Sequence, residues 1–363
     1  MVIIKKTRNL FLYFVTIIVA SLQLRCTSSY NEIGSISSFE REVNIKGDPI
    51  SEISTFSNKN VNMLVVDTFL VIQQNHDKVL SVYSTQDNKL LKQYGTIGSG
   101  NLEFTDPVLL KQRSYDKVDG TPEILRYDYT RRVINRINLL DMLNEQEGFH
   151  RQLPLEEKEL YYLHFYYDSP DIHIGVSEDM SKFSLFDKRN RLLTNVPYSP
   201  KLDFEVNQSL LYPIYRSAIA VNEKKQKIAT ATLLVPNLEI YNFKLELLND
   251  LYFENTKVIE SSLIEYAKSG TFDTMHYIAE LDSDDEHLLG LNYNNTSTDI
   301  YSNYSYADLN FLLFDWEGSL LTKYTLSDNK FVESFAVDFK ASRVYCYLPF
   351  EKDHNIYVYD LHL

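Results

Sequence analysis

The chain has 363 residues, 36 basic against 50 acidic, for a net charge of −14, with 44% hydrophobic and 24% charged residues. That charge repels phosphate backbones and no basic run interleaved with aromatics offsets it, so a nucleic-acid partner is excluded, and the composition excludes disordered and fibrous classes. Eleven Gly and ten Pro are too few for low complexity, and the length suits two or three average domains or one large closed β architecture.

The first 25 residues carry Lys5, Lys6, Arg8 and Arg25 and no acid, and Leu10 to Leu22 is uncharged and apolar. A positive start followed by a short apolar run is the layout of an export signal. Thirteen helical residues span about 20 Å, short of the roughly 30 Å hydrocarbon core, so a permanent membrane span is the weaker reading. The segment Leu22-Gln-Leu-Arg-Cys26 resembles a bacterial lipoprotein signal, which makes Cys26 the expected lipid attachment site and residues 1–25 the signal peptide. Gln23 and Arg25 depart from the usual pattern, and cleavage after Ala20 would instead leave a soluble periplasmic protein. Residues 26–38 are polar and read as a tether.

From Phe39 onward, runs of four to eight β-branched and aromatic residues alternate with Asn, Asp, Gly, Lys and Ser turns, which predicts an all-β fold. Short helices are expected only within Asp141 to Leu160 and Thr256 to Lys268. One unit recurs: a strand ending in Tyr or Phe plus a polar residue, a turn, and a second strand. Its copies lie at Leu80–Leu91, Ile124–Ile134, Phe183–Leu193, Leu238–Leu248, Phe311–Leu321 and Asn355–Leu363, anchored on Tyr83, Tyr127, Phe186, Tyr241, Phe314 and Tyr359. This spacing matches the blades of a β-propeller, in which stacking buries the two apolar faces that one four-stranded sheet cannot bury alone. Residues 39–363 are therefore expected to form a single six-bladed propeller. A two-domain β-sandwich with accidental repetition is the alternative. After Tyr359 only Asp360-Leu-His-Leu363 remains, so the last blade lacks an outer strand. An N-terminal strand is expected to close the ring there, and Phe39 to Ile45 alternates suitably.

The Cys-terminated signal, the sixfold aromatic–polar unit and the stretch Tyr94-Gly-Thr-Ile-Gly-Ser-Gly-Asn-Leu-Glu-Phe104-Thr-Asp-Pro107 together resemble the TolB-like six-bladed β-propeller lipoproteins of Bacteroidota. The resemblance implies an outer-membrane lipoprotein of the cell envelope facing the periplasm or the cell surface. It carries no general activity and no catalytic residue to transfer.

The sequence carries few signs of chemistry. After Gly95-Thr-Ile-Gly98-Ser-Gly100 there is neither the Lys-Ser/Thr of a P-loop nor room for a helix before Pro107, so a turn between blades is expected. No His-Glu-x-x-His or Gly-x-Ser-x-Gly motif occurs and the eight His are scattered, so no metal, cofactor or catalytic residue is expected. The acidic cluster Asp282-Ser-Asp-Asp-Glu286 lacks EF-hand spacing and reads as a solvated hairpin turn. Tyr161 to Tyr167 is expected to pack within a blade. Tyr301-Ser-Asn-Tyr-Ser-Tyr306 is the better candidate for an exposed loop, where Tyr can stack on sugar rings. Cys346 reads as a buried structural thiol. The function expected is a non-catalytic binding or scaffolding propeller, held to a membrane by lipid and contacting a protein or peptide through its loop face. The alternative is a glycan lyase or hydrolase with its acids over the central channel.

Overall fold

A computed structural model of the chain describes residues 39–363 except 54–55, 57–59, 76–77, 101, 156–161, 168–171, 178–180, 188–190, 200–205, 253–262 and 269–272. The strands form six sheets, the blades of a six-bladed β-propeller. Blade 1 runs Asn62–Val66, Phe69–Gln73, Leu80–Ser84, Leu90–Tyr94 from the axis outward. Blade 2 is built from Pro107–Leu109 and Ser114–Tyr115, then Pro122–Asp128, Val133–Asn138 and His150–Pro154. Blade 3 is Tyr162–Tyr167, Ile172–Ser177, Phe183–Asp187, Leu192–Val196, and blade 4 is Ser217–Asn222, Lys227–Thr232, Asn237–Asn242, Leu247–Tyr252. Blade 5 is Met275–Ser283, His287–Thr296, Asn310–Asp315, Leu320–Leu326, and blade 6 is Ser334–Asp338, Arg343–Tyr347, Ile356–Asp360.

Burial explains why alternation is clear only in places. Strands such as Phe69–Gln73 and Ser334–Asp338 are buried along their whole length because both blade faces are covered, whereas the outer strand Leu90–Tyr94 is largely exposed. A separate apolar cluster fills each of the six blade interfaces.

The repeated unit has a physical cause. In blades 1, 3, 4 and 5 it is the hairpin of third and outer strands. The anchor aromatic pairs with the first leucine of the outer strand (Tyr83 with Leu90, Phe186 with Leu192, Tyr241 with Leu247, Phe314 with Leu320) directly after a register shift. That bulge turns each aromatic into the interface with the preceding blade. The polar residue that follows caps the turn: the Asp187, Asn242 and Asp315 side chains accept from the backbone N–H of Arg191, Lys244 and Glu317 at 2.9 Å each. Blade 2 differs from the sequence reading. Tyr127 lies on its second strand, one strand inward, makes no bulge with Ile134, and faces blade 3. This offset contributes to the unequal spacing of the anchors on either side of Tyr127.

An N-terminal strand does complete blade 6, but it is Asp48–Pro49, antiparallel to Tyr357 and Val358. The expected segment goes elsewhere. Arg41–Ile45 adds a fifth, parallel strand to blade 5 along Thr322 to Leu326. Gly47 makes the crossing, since a Cβ there would lie 2.4 Å from Cζ of Tyr359. Pro49 lacks an N–H and can extend a ladder only at an edge.

The helices also differ in part. The first expected helix is a short one at Leu139–Leu143, His150–Pro154 within the same span is a strand, and residues 156–160 lie outside the described residues. Residues 263–268 are helical, as expected. A helix at Gln208–Tyr215, with Pro213 inside it, was hidden by that proline.

Candidate functional site

The inner strand of blade 2 is interrupted where it passes the axis. Pro107–Leu109 pairs with Arg126 to Asp128 and Ser114–Tyr115 with Pro122 and Glu123, so residues 110 to 113 stand opposite only Ile124 and Leu125. Such a bulge re-aims side chains. Lys111 and Arg113, two residues apart, cross the axis to Glu280 and Asp282, also two apart, on the inner strand of blade 5: Lys111 Nζ is 3.0 Å from Glu280 Oε1, and Arg113 Nη1 is 2.7 Å from Asp282 Oδ1.

These four side chains also satisfy the inner edge of blade 6. Phe335 N–H donates to Glu280 Oε2 at 3.0 Å and Val337 N–H to Asp282 Oδ2 at 2.8 Å. Lys111 donates to the Phe335 carbonyl and Arg113 Nη2 to the Val337 carbonyl at 2.7 Å. The cations also lie over the rings of Phe335 and Phe339. The period of two is the strand period, so two ion pairs occupy the place a neighbouring strand would take. Glu280 additionally accepts from the Ser334 hydroxyl at 3.3 Å. Burial pushes its carboxyl above the usual range, with the Lys111 cation opposing.

Two cups open on either side of this clamp, and Lys111 lines both. The cup of about 520 Å³ is ringed by hairpin turns carrying Asp67, Asp284 and Asp285. Its lysines are engaged, Lys224 with Asp285 at 3.0 Å and Lys340 with Asp67 at 2.9 Å. The acidic cluster forms a hairpin turn here, as expected for Asp284 to Glu286, but Asp282 is fully buried in the clamp rather than solvated. A run of acids in the sequence hides which one faces inward.

The other cup, of about 600 Å³, lies where the inner strands of blades 1, 4, 5 and 6 begin, and the helix Gln208–Tyr215 flanks it. Tyr212, Arg216, His276, Tyr293, Tyr301 and Glu333 line it. Arg216 follows the helix directly and is exposed; its carbonyl accepts the Leu233 N–H at 3.0 Å, while its side chain makes no hydrogen bond or ion pair among the described residues. His276 Nε2 lies 2.9 Å from the Ser297 hydroxyl, and burial with the Arg216 cation pushes it down to about 4, so the ring is neutral at pH 7. Glu333 accepts the Asn60 N–H at 3.0 Å. In the Tyr-rich run Tyr301 and Tyr304 are exposed, as expected, while Tyr306 is buried.

The glycine-rich stretch is a turn between blades 1 and 2. Its own Glu103 takes the place an anion would: the Gly100 N–H donates to Glu103 Oε2 at 2.6 Å, and Phe104 is buried beneath Gly95. Tyr162–Tyr167 forms the inner strand of blade 3. Cys346 is buried, and burial pushes its thiol up. Cys26, the signal and the tether lie outside the described residues. No group of His, Cys, Asp and Glu fit to hold a metal occurs among the described residues. The clamp and Arg216 carry no sequence motif. Only the i, i+2 spacing of Lys111 with Arg113 and of Glu280 with Asp282 hints at them.

No known family's sequence profile and no curated protein matches this chain. Among solved structures it is similar to a candidate exported protein of Bacteroides fragilis, at 12% identity and a TM-score of 0.53, covering 88% of this chain and 98% of that one. It is also similar to a member of the DUF4221 family from Bacteroides vulgatus, at 9% identity and a TM-score of 0.52, covering 87% and 96%. What these likenesses share with this chain is its six-bladed fold.

Proposed function

We propose that this protein is an envelope-anchored, non-catalytic binding propeller that engages a protein or peptide partner on the loop face around the larger cup. The observation that carries the reading is the axial clamp. A glycan hydrolase needs two carboxyl groups poised on either side of a scissile bond. Of the two carboxylates lining the larger cup, Glu280 is held by Lys111, the Ser334 hydroxyl and the Phe335 N–H. A carboxylate tied up by three donors serves the fold, and what remains is a preformed cup with aromatic walls, within the roughly 300–1,000 Å³ of ordinary ligand sites.

The anchor belongs to the same proposal. The resemblance of Leu22 to Cys26 to a bacterial lipoprotein signal supports export and acylation, and the exported class of the Bacteroides fragilis neighbour accords with it. Two tests address the two parts. Incubation with polysaccharide panels should release no new reducing ends or unsaturated products, and release that disappears in Glu333→Gln would establish the enzyme instead. Radioactive fatty acid should label the wild type and not Cys26→Ser, and equal label in both would remove the anchor.

A further inference from the structure

Arg216 is the feature of the larger cup that the fold leaves unused. The two cations of the clamp are committed to Glu280 and Asp282, and the lysines around the other cup to Asp285 and Asp67. Arg216 stands in the wall with an exposed side chain and no partner among the described residues. Its charge is felt across the cup: it adds to burial in pushing His276 down, and it opposes the burial and the Glu333 charge that push Tyr301 up.

The surroundings of Arg216 narrow the chemistry. A planar guanidinium suits bidentate pairing with a carboxylate. Around it the wall is mostly apolar, with Tyr212, Pro213, Ala218 and Leu233 at its surface. Three of the polar side chains of the cup are already engaged, His276 with Ser297, Glu333 with the Asn60 N–H and Ser334 with Glu280. An acidic sugar would need several free hydrogen-bonding groups for its hydroxyls. An extended peptide needs one cation for its terminal carboxylate and apolar wall for its last side chain, a recurring mode of recognition.

We infer that the larger cup captures the C-terminal carboxylate of a peptide ending in an apolar residue, with Arg216 as the carboxylate anchor. The inference rests on the binding reading above and names its ligand class.

The test uses two pools of random N-acetylated hexapeptides, one with free C-terminal carboxylates and one amidated, passed over the immobilised protein and quantified by mass spectrometry. The free-acid pool should be retained, enriched in apolar last residues, and at least tenfold more than the amidated pool. Arg216→Gln should lower retention of the acid pool to the amide level. Arg343→Gln, at an exposed site paired with Asp360, should not change it. Equal melting temperatures of wild type and Arg216→Gln would exclude misfolding as the cause. Equal retention of both pools, unchanged in Arg216→Gln, overturns the carboxylate anchor while leaving a binding cup. Retention of neither pool overturns both readings. Retention of glucuronate oligosaccharides in place of peptides would assign the cup to acidic sugars and likewise overturn the inference.

Discussion

At the scale of single residues, neutrality is built into His150. Its Nδ1 lies 2.7 Å from the Tyr94 hydroxyl and its Nε2 2.8 Å from Asn135 Oδ1, a pair of partners that suits one neutral tautomer: Nε2–H donates and Nδ1 accepts. Its ring stacks on Phe104, whose face also carries the buried Arg126 guanidinium. Burial first, then the Arg126 and Arg131 cations, push His150 down to about 4, from an unfolded value near 6.5. Between these values the unfolded chain binds the proton and the folded chain does not, so stability falls as pH drops from about 6.5 toward 4. At about 1.4 kcal/mol per unit, this one residue accounts for a loss on the order of 3 kcal/mol. Urea unfolding at pH 7 and pH 4.5 should show a clearly smaller loss in His150→Gln than in the wild type. The same loss in both would remove His150 from the acid response.

At the scale of elements, the N-terminal strap is the ring's fastening. It hydrogen-bonds along the edge of blade 5, with Glu40 N–H to Leu320 and Ser327 N–H to Ile45, then passes over Tyr359 at Gly47 and pairs with blade 6. Ile50, Ile53 and Phe56 continue into the core between blades 6 and 1, where Asn355 bonds both backbone groups of Phe56. One segment thus joins blade 1, which it directly precedes, to blades 5 and 6, from which it is remote in sequence. Deleting residues 39–50 should remove several ladder bonds of about 0.5–1.5 kcal/mol each and uncover the apolar side chains beneath. It also opens the edges of Leu320–Leu326 and Ile356–Asp360, which become templates for pairing with another chain. The truncated protein should melt well below the wild type and elute as larger species. A monomer with wild-type melting would show that the strap is dispensable.

At the scale of the whole molecule, the strap fastens the ring from outside and the clamp ties it across the axis. Lys111 and Arg113 link blade 2 to blade 5 and to the inner edge of blade 6, so the unfolding of one blade releases contacts in two others. Asp282 is fully buried, and removing Arg113 would leave its charge short of a partner; breaking a buried pair from one side typically costs about 3–5 kcal/mol. Arg113→Met should therefore lower the melting temperature markedly, while Arg113→Met with Asp282→Asn should recover part of the loss. Both should still unfold in one calorimetric transition. Two separate transitions in the wild type would show blades that unfold independently.

The sequence by itself determined the fold class and the blade count. Both rest on local physics: β-branched and aromatic runs, and a hairpin whose aromatic and capping residue recur at Tyr83, Phe186, Tyr241 and Phe314. Only the tertiary structure decided which N-terminal residues pair where. Both Arg41–Ile45 and Asp48–Pro49 meet open edges, and the choice turns on a close approach of Gly47 to Tyr359, far away in sequence. The same holds for the axis. Nothing near Lys111 in the chain foretells Glu280, and the acidic run around Asp282 conceals the one member that is buried, because ion pairs across a ring join residues whose proximity only the closed fold creates.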